Sequence, residues 1–183
     1  MGMVGIVCSL SKQRRSLLEA DPHLLEDAIA ARRRERIPGL LDLGKAWHAL
    51  DLILGGGDDA LLGDAVMARS GQPFGPTLGY GPPRLLEPAR VALVADALEA
   101  LPVDRVEDGY PLLTGAHGGF GPKVRPPSTP NDYDAEIAAL GLDDEPDPEE
   151  AAERDELAVA LQRLTDLYRA AADRGDAVIA VIV

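Results

Sequence analysis

The chain has 183 residues, a formal net charge of −13, 46% apolar residues and 4% aromatic residues. That length suits one domain, residues 1–183, with a core of its own, and the apolar share excludes a disordered chain. The negative field and the scarcity of rings argue against a phosphate-binding or base-stacking surface, so no nucleic acid is expected and a basic protein is the better-suited partner.

Residues 3–10 form a Val- and Ile-rich apolar run that reads as a strand. It contains Cys8, the single cysteine, so no intrachain disulfide can form and no cysteine-based zinc pattern exists. Ser11 is placed to cap a short helix over 12–20, and Asp21-Pro22 opens another that Ile37-Pro38-Gly39 stops. Arg32, Arg33, Arg34 and Arg36 fall near the end of that second helix, where cations suit the dipole. Leu43, Ala46, Trp47, Leu50 and Leu54 repeat at helical spacing and predict a buried helix face over 43–54, ended by Gly55-Gly56-Gly57. Residues 64–68 are read as a short strand and 71–83 as a Gly/Pro loop.

Glu87-Pro88 opens a helix predicted to run to Leu101. Periodicity then vanishes, and 104–134 reads as a long Gly/Pro-rich loop of the kind that is functional or mobile. The longest helix is predicted from Asp147-Pro148 to about residue 173, with Gly175 as its stop. Residues 177–183 are continuously apolar, which predicts a central strand covered on both faces. The expected fold is α/β (α+β): a helix-rich domain around a small mixed sheet that includes both terminal strands. No apolar run approaches the length that spans a bilayer, and the start lacks a signal-peptide pattern, so a soluble cytoplasmic chain without membrane contact is expected.

Chemical motifs are weak. The glycines at 55–57 follow a helix rather than a strand, which suits a helix stop and not a phosphate loop. The stretch Gly115-Ala116-His117-Gly118-Gly119-Phe120-Gly121 has no strand leading in, so a dinucleotide loop is not supported. His23, His48 and His117 have no metal-ligand spacing, and neither metal nor cofactor is expected. The acidic run at 143–150 reads as a solvated linker and helix start. Two places concentrate polar and aromatic groups. His48 and Asp51 stand three apart on the Trp47 helix, where they are read as polar-side neighbours that could form an acid/base pair. Gly79-Tyr80-Gly81-Pro82, with Arg84 following, reads as a loop that anchors the Tyr80 ring against the fold. Trp47, His48, Asp51, Tyr80 and Arg84 are therefore the candidate ligand or partner contacts, and no catalytic residue is assigned.

Several segments together resemble a known family. They are Met1-Gly2-Met3-Val4-Gly5, Leu41-Asp42-Leu43-Gly44-Lys45-Ala46-Trp47-His48-Ala49-Leu50, Leu78-Gly79-Tyr80-Gly81-Pro82, and the stretch from Leu167 to Val178. Their order resembles the YfbM-like family, domain of unknown function 1877. The resemblance implies a small bacterial α/β or α+β domain without an established activity. Two positions depart from the family pattern: Gly44 stands where an acidic residue is usual, and Asp51 where a histidine is usual. Residues 109–134 also look unlike the family's connection. The favoured reading is a non-catalytic protein-binding module, immunity-like or regulatory. The alternative is an enzyme or small-molecule binder with a site near Trp47, His48, Tyr80 and Arg84.

Overall fold

The computed structural model describes residues 3–31, 37–55, 60–102, 104–116 and 148–183. Its strands are β1 (Gly5–Leu10), β2 (Leu40–Gly44), β3 (Gln72–Pro73), β4 (Arg84–Leu86) and β5 (Ala177–Ile182). Its helices are α1 (Lys12–Ala20), α2 (His23–Ala31), α3 (Ala46–Gly55), α4 (Leu62–Met67), α5 (Pro88–Glu99), α6 (Arg105–Ala116) and α7 (Pro148–Arg174).

The strands form one five-stranded sheet in the order β2-β1-β5-β4-β3. Every pairing is antiparallel, where the apolar runs alone suggest a mixed sheet. The two terminal strands lie side by side, and β5 occupies the centre, as its unbroken apolar run predicts. The run is explained by side-chain alternation. Val7, Val178 and Ala180 point into a core shared with α3, α4, α5 and α7. Ile6, Cys8, Ile179 and Val181 point the other way, toward Leu18 of α1 and Leu25 and Ile29 of α2. Helices on both faces bury β1 and β5, and Ser9, the polar residue of β1, is buried with its hydroxyl accepting from Arg174.

The long helix α7 buries Leu157, Leu164, Tyr168 and Ala171 and packs along α5, whose buried residues are Val91, Val94, Ala95 and Leu98. Arg169 and Glu99 form an ion pair between these two helices. Among the described residues, no helix is long and apolar enough to cross a membrane.

Three sequence expectations are corrected. Residues 64–67 are helical, part of α4, and Ala68 ends that helix in the left-handed conformation. The alternation expected of a strand is absent because Leu62, Gly63, Asp64, Ala65 and Val66 are all buried, on a helix enclosed by the core. Leu43 belongs to β2 rather than to the Trp47 helix; Gly44, at φ +55°, turns the chain before α3 begins at Ala46. Residues 105–116 form α6 in place of loop. Gly109 and Pro111 disfavour a helix there by propensity, but Val106 and Tyr110 are buried in the core and Gly109 fits closely against Ile53. The remainder of the expected loop, residues 117–134, lies outside the described residues, as do Arg32 to Arg36, Gly56 to Asp59, His117 and the acidic run up to residue 147.

Candidate functional site

The five residues singled out in the sequence are held by separate local structures. Trp47 is buried at the start of α3 beside Gly5 of β1, and its Nε1 donates to the Met3 carbonyl at 3.3 Å. His48 is exposed, with its ring centroid 5.3 Å from that of Trp47. Asp51 is buried rather than on the polar side, and its Oδ2 accepts from Arg69 Nη2 at 2.5 Å. Its Oδ1 is a buried acceptor without a hydrogen-bond partner among the described residues.

Tyr80 does not anchor the fold through its ring, which is 69% exposed. The anchor is its backbone. Leu78 and Gly81 bridge each other across a tight turn, Gly79 takes φ +57°, and the Tyr80 amide donates to the Ile182 carbonyl at 3.1 Å. A positive φ at the first central position of a two-residue turn is what glycine supplies. The sequence signal was therefore real but belonged to the glycine. Arg84 Nη1 donates to the carbonyls of Arg69 and Gly71, at 3.1 and 2.9 Å, and so ties β4 to the loop after α4. Arg69 thus links Asp51, through its guanidinium, to Arg84, through its carbonyl. None of the four cavities described below is lined by any of the five candidates.

A buried polar knot lies where the sequence suggested only a strand. The Asp64 side chain is 1% exposed and accepts from Ser70 N at 2.7 Å, Ser70 Oγ at 2.6 Å and Arg90 Nε at 2.7 Å. The Asp64 carbonyl accepts from the phenol of Tyr168, whose burial pushes its pKa up and keeps it a neutral donor. With that many partners the carboxylate is fully satisfied, which suits a structural clamp on α4. Nothing in the local sequence signals the pairing, because Arg90 and Tyr168 arrive from α5 and α7.

The larger concavities lie at the β2 side of the sheet. One, of about 980 Å³, is bounded by Ser9, Pro38, Leu41 and Asp42 on one wall and by Arg163 and Leu167 of α7 on the other. A second, of about 430 Å³, shares Leu41, Asp42 and Arg163 and adds Ala46, Asp155 and Val159. Together they make one groove between the edge strand β2 and α7. Its floor is mainly apolar beside Ala46 and Val159 and mixed polar and apolar in the larger cavity. Asp155 and Glu156 make the end near the start of α7 acidic, while Arg163 and Arg174 stand toward the other end.

Two further cavities flank the start of α1. Cys8, Leu18 and Leu25 line an apolar one of about 240 Å³, and Ser9, Arg14 and Arg174 line a polar one of about 260 Å³. Among the described residues there is no group of three or more His, Cys, Asp or Glu side chains that could hold a metal ion.

Comparison with known proteins places this architecture. Residues 1–114 match the family described as domain of unknown function (DUF1877). The chain belongs to that family. The DUF1877 match ends within α6, yet the likeness of fold extends further. A crystal structure of YfbM from Escherichia coli, described as a protein of unknown function, is similar over 98% of this chain and 99% of that one, with a TM-score of 0.60 and 18% identity. At that identity the likeness is one of fold. No curated protein matches the chain. The DUF1877 segment thus supplies β2 and Trp47, whereas α7 and β5 lie beyond it.

Proposed function

We propose that this DUF1877 protein is a binding module whose docking surface is the groove between β2 and α7, and that its occupant is a basic protein segment with an apolar flank. The observation that carries the reading is the groove itself: a floor of mixed character beside an edge strand, mainly apolar near the start of α7, with Asp42, Asp155, Glu156 and Asp166 in its lining against Arg163 and Arg174. Val159 is half exposed along that floor, and the formal charge of −13 favours approach of a cationic partner. The five candidates of the sequence reading are tied into separate contacts, so an active site built from them has less support.

A photo-crosslinking side chain placed at Val159 tests this in cells. The control position is Leu93 on α5, equally exposed at 50%. The expected result is a discrete adduct from position 159 that is absent from position 93. It should weaken with added salt and with the double substitution Asp155→Lys and Glu156→Lys. The same adducts from both positions, or indifference to the charge reversal, would overturn the reading.

A further inference from the structure

Arg14 stands where two cavities of opposite character meet. On the face covered by α1 and α2, the cavity of about 240 Å³ is lined by Cys8, Leu10, Leu18, Leu25, Ile37 and Leu40, and Arg14 is the charged residue in its lining. At the end of β1, the cavity of about 260 Å³ is lined by Ser9, Ser11, Gly39, Arg174, Asp176 and again Arg14. Apart from Arg14 the lining of the first is apolar, its cysteine included. Burial pushes the Cys8 thiol up to about 11, so it stays uncharged at neutral pH. Leu17 and Leu24, 54% and 43% exposed, flank the same cavity with apolar surface.

The charges of the polar cavity do not balance. Arg174 is paired with Asp176, Nε to Oδ2 at 2.8 Å, and its Nη2 donates to the Ser9 hydroxyl at 3.3 Å. Arg14 uses one of its five donors on the Pro38 carbonyl at 2.7 Å and has no carboxylate partner among the described residues. Among the described residues, the Arg14 guanidinium thus stands without a counter-charge beside an apolar cavity. Guanidinium groups hold carboxylates by paired, charge-assisted hydrogen bonds.

We infer that the paired cavities at Arg14 bind a small amphipathic carboxylic acid, with the carboxylate on the Arg14 guanidinium and the hydrocarbon chain in the cavity floored by Cys8 and Leu18. A pocket that is mostly apolar, with a few placed polar groups, is the general form of a small-molecule site. The polar cavity adjoins the β2–α7 groove, with Ser9, Pro38, Gly39 and Arg174 lining both, but Arg14, Cys8 and Leu18 line neither part of that groove, so substitution of Arg14 tests this site apart from the groove.

Octanoate is the probe, with acetate as the head alone and octanol as the tail alone. Binding is read by the rise in melting temperature and by the rate at which N-ethylmaleimide alkylates Cys8, the chain's single cysteine. Octanoate is expected to raise the melting temperature saturably and to slow alkylation, while acetate and octanol at equal concentration do far less. Arg14→Gln, at an exposed position, should weaken octanoate by roughly ten- to a hundred-fold, the loss of a charge-assisted contact. The alkylation rate of the unmodified protein needs no variant to fold. Octanol equal to octanoate, octanoate affinity unchanged in Arg14→Gln, or an alkylation rate indifferent to octanoate would each overturn the inference.

Discussion

The clamp at Asp64 gives a measurable coupling between distant parts of the chain. Asp64 sits on α4 and Arg90 on α5, and the shortest contact between their side chains is 2.6 Å. Asp64→Ala leaves Arg90 and the Ser70 amide without their acceptor. Breaking a buried pair from one side costs about 3–5 kcal/mol. The Arg90 side chain is 31% exposed, so water recovers part of its loss, which puts the expected cost at about 3 kcal/mol. Arg90→Met keeps the two Ser70 donors on the carboxylate and should cost about 2 kcal/mol. The double variant removes the charge together with its partner, so the losses should fall short of additive by about 1.5–2 kcal/mol. Urea unfolding of the four proteins, followed through the single Trp47, measures this cycle. With a total stability of about 5–15 kcal/mol, the single variants remain foldable. The pair Asp51–Arg69 is a built-in contrast, because the Arg69 side chain is 55% exposed and its coupling should be at most about 1 kcal/mol. A coupling at Asp64–Arg90 below about 0.5 kcal/mol, or one no larger than at Asp51–Arg69, would refute the clamp.

Alkaline pH should destabilise the fold in a defined window. Cys8, raised by burial from 9.0 to about 11, and Tyr110, raised by burial and by its hydrogen bond to Glu153 from 10.0 to about 12, both prefer their protonated forms when folded. Their stabilisation is complete below the unfolded values and is lost as pH rises through the folded ones, beginning near pH 9. Cys8 accounts for on the order of 2–3 kcal/mol of that loss by pH 11, and Cys8→Ala should remove the first part of the decline in a pH series of urea melts. Glycine substitutions separate backbone strain from collision. Gly44→Ala meets no atom within 4 Å and should cost only the left-handed penalty of about 1–2 kcal/mol, whereas Gly79→Ala would put its Cβ 2.6 Å from Val183 Cα. Gly79→Ala should therefore lower the melting temperature well beyond Gly44→Ala; equal shifts would show that the end of β5 is not braced by this turn. Tyr80→Ser should change stability by no more than about 0.5 kcal/mol, because the exposed ring contributes little packing. A larger loss in calorimetry would restore the ring as an anchor.

Local patterning by itself determined much of the framework. The apolar run at residues 177–182 specifies a strand covered on both faces, since no polar residue alternates with the apolar ones, and the run at residues 5–10 specifies a strand despite Ser9 within it. Pro88 at a helix start and Gly175 after a helix end mark boundaries through backbone geometry, which is a property of single residues. Trp47 was legible as core because its neighbours repeat at the helical period. The candidate contacts were only partly legible. Tyr80 pointed to a special turn, but whether its ring packs or projects depends on what stands opposite, and that is set by Ile182 and Val183 from the far end of the chain. Helices α4 and α6 escaped pattern reading, because a short helix enclosed by other elements shows no polar face and Gly109 is chosen for its fit against Ile53. The Asp64 clamp, the groove beside α7 and the pairing of Arg14 with an apolar cavity were decided only by tertiary structure. Each joins side chains from separate elements, and the forces that make such sites, charge pairing and exclusion of water, act through space rather than along the chain.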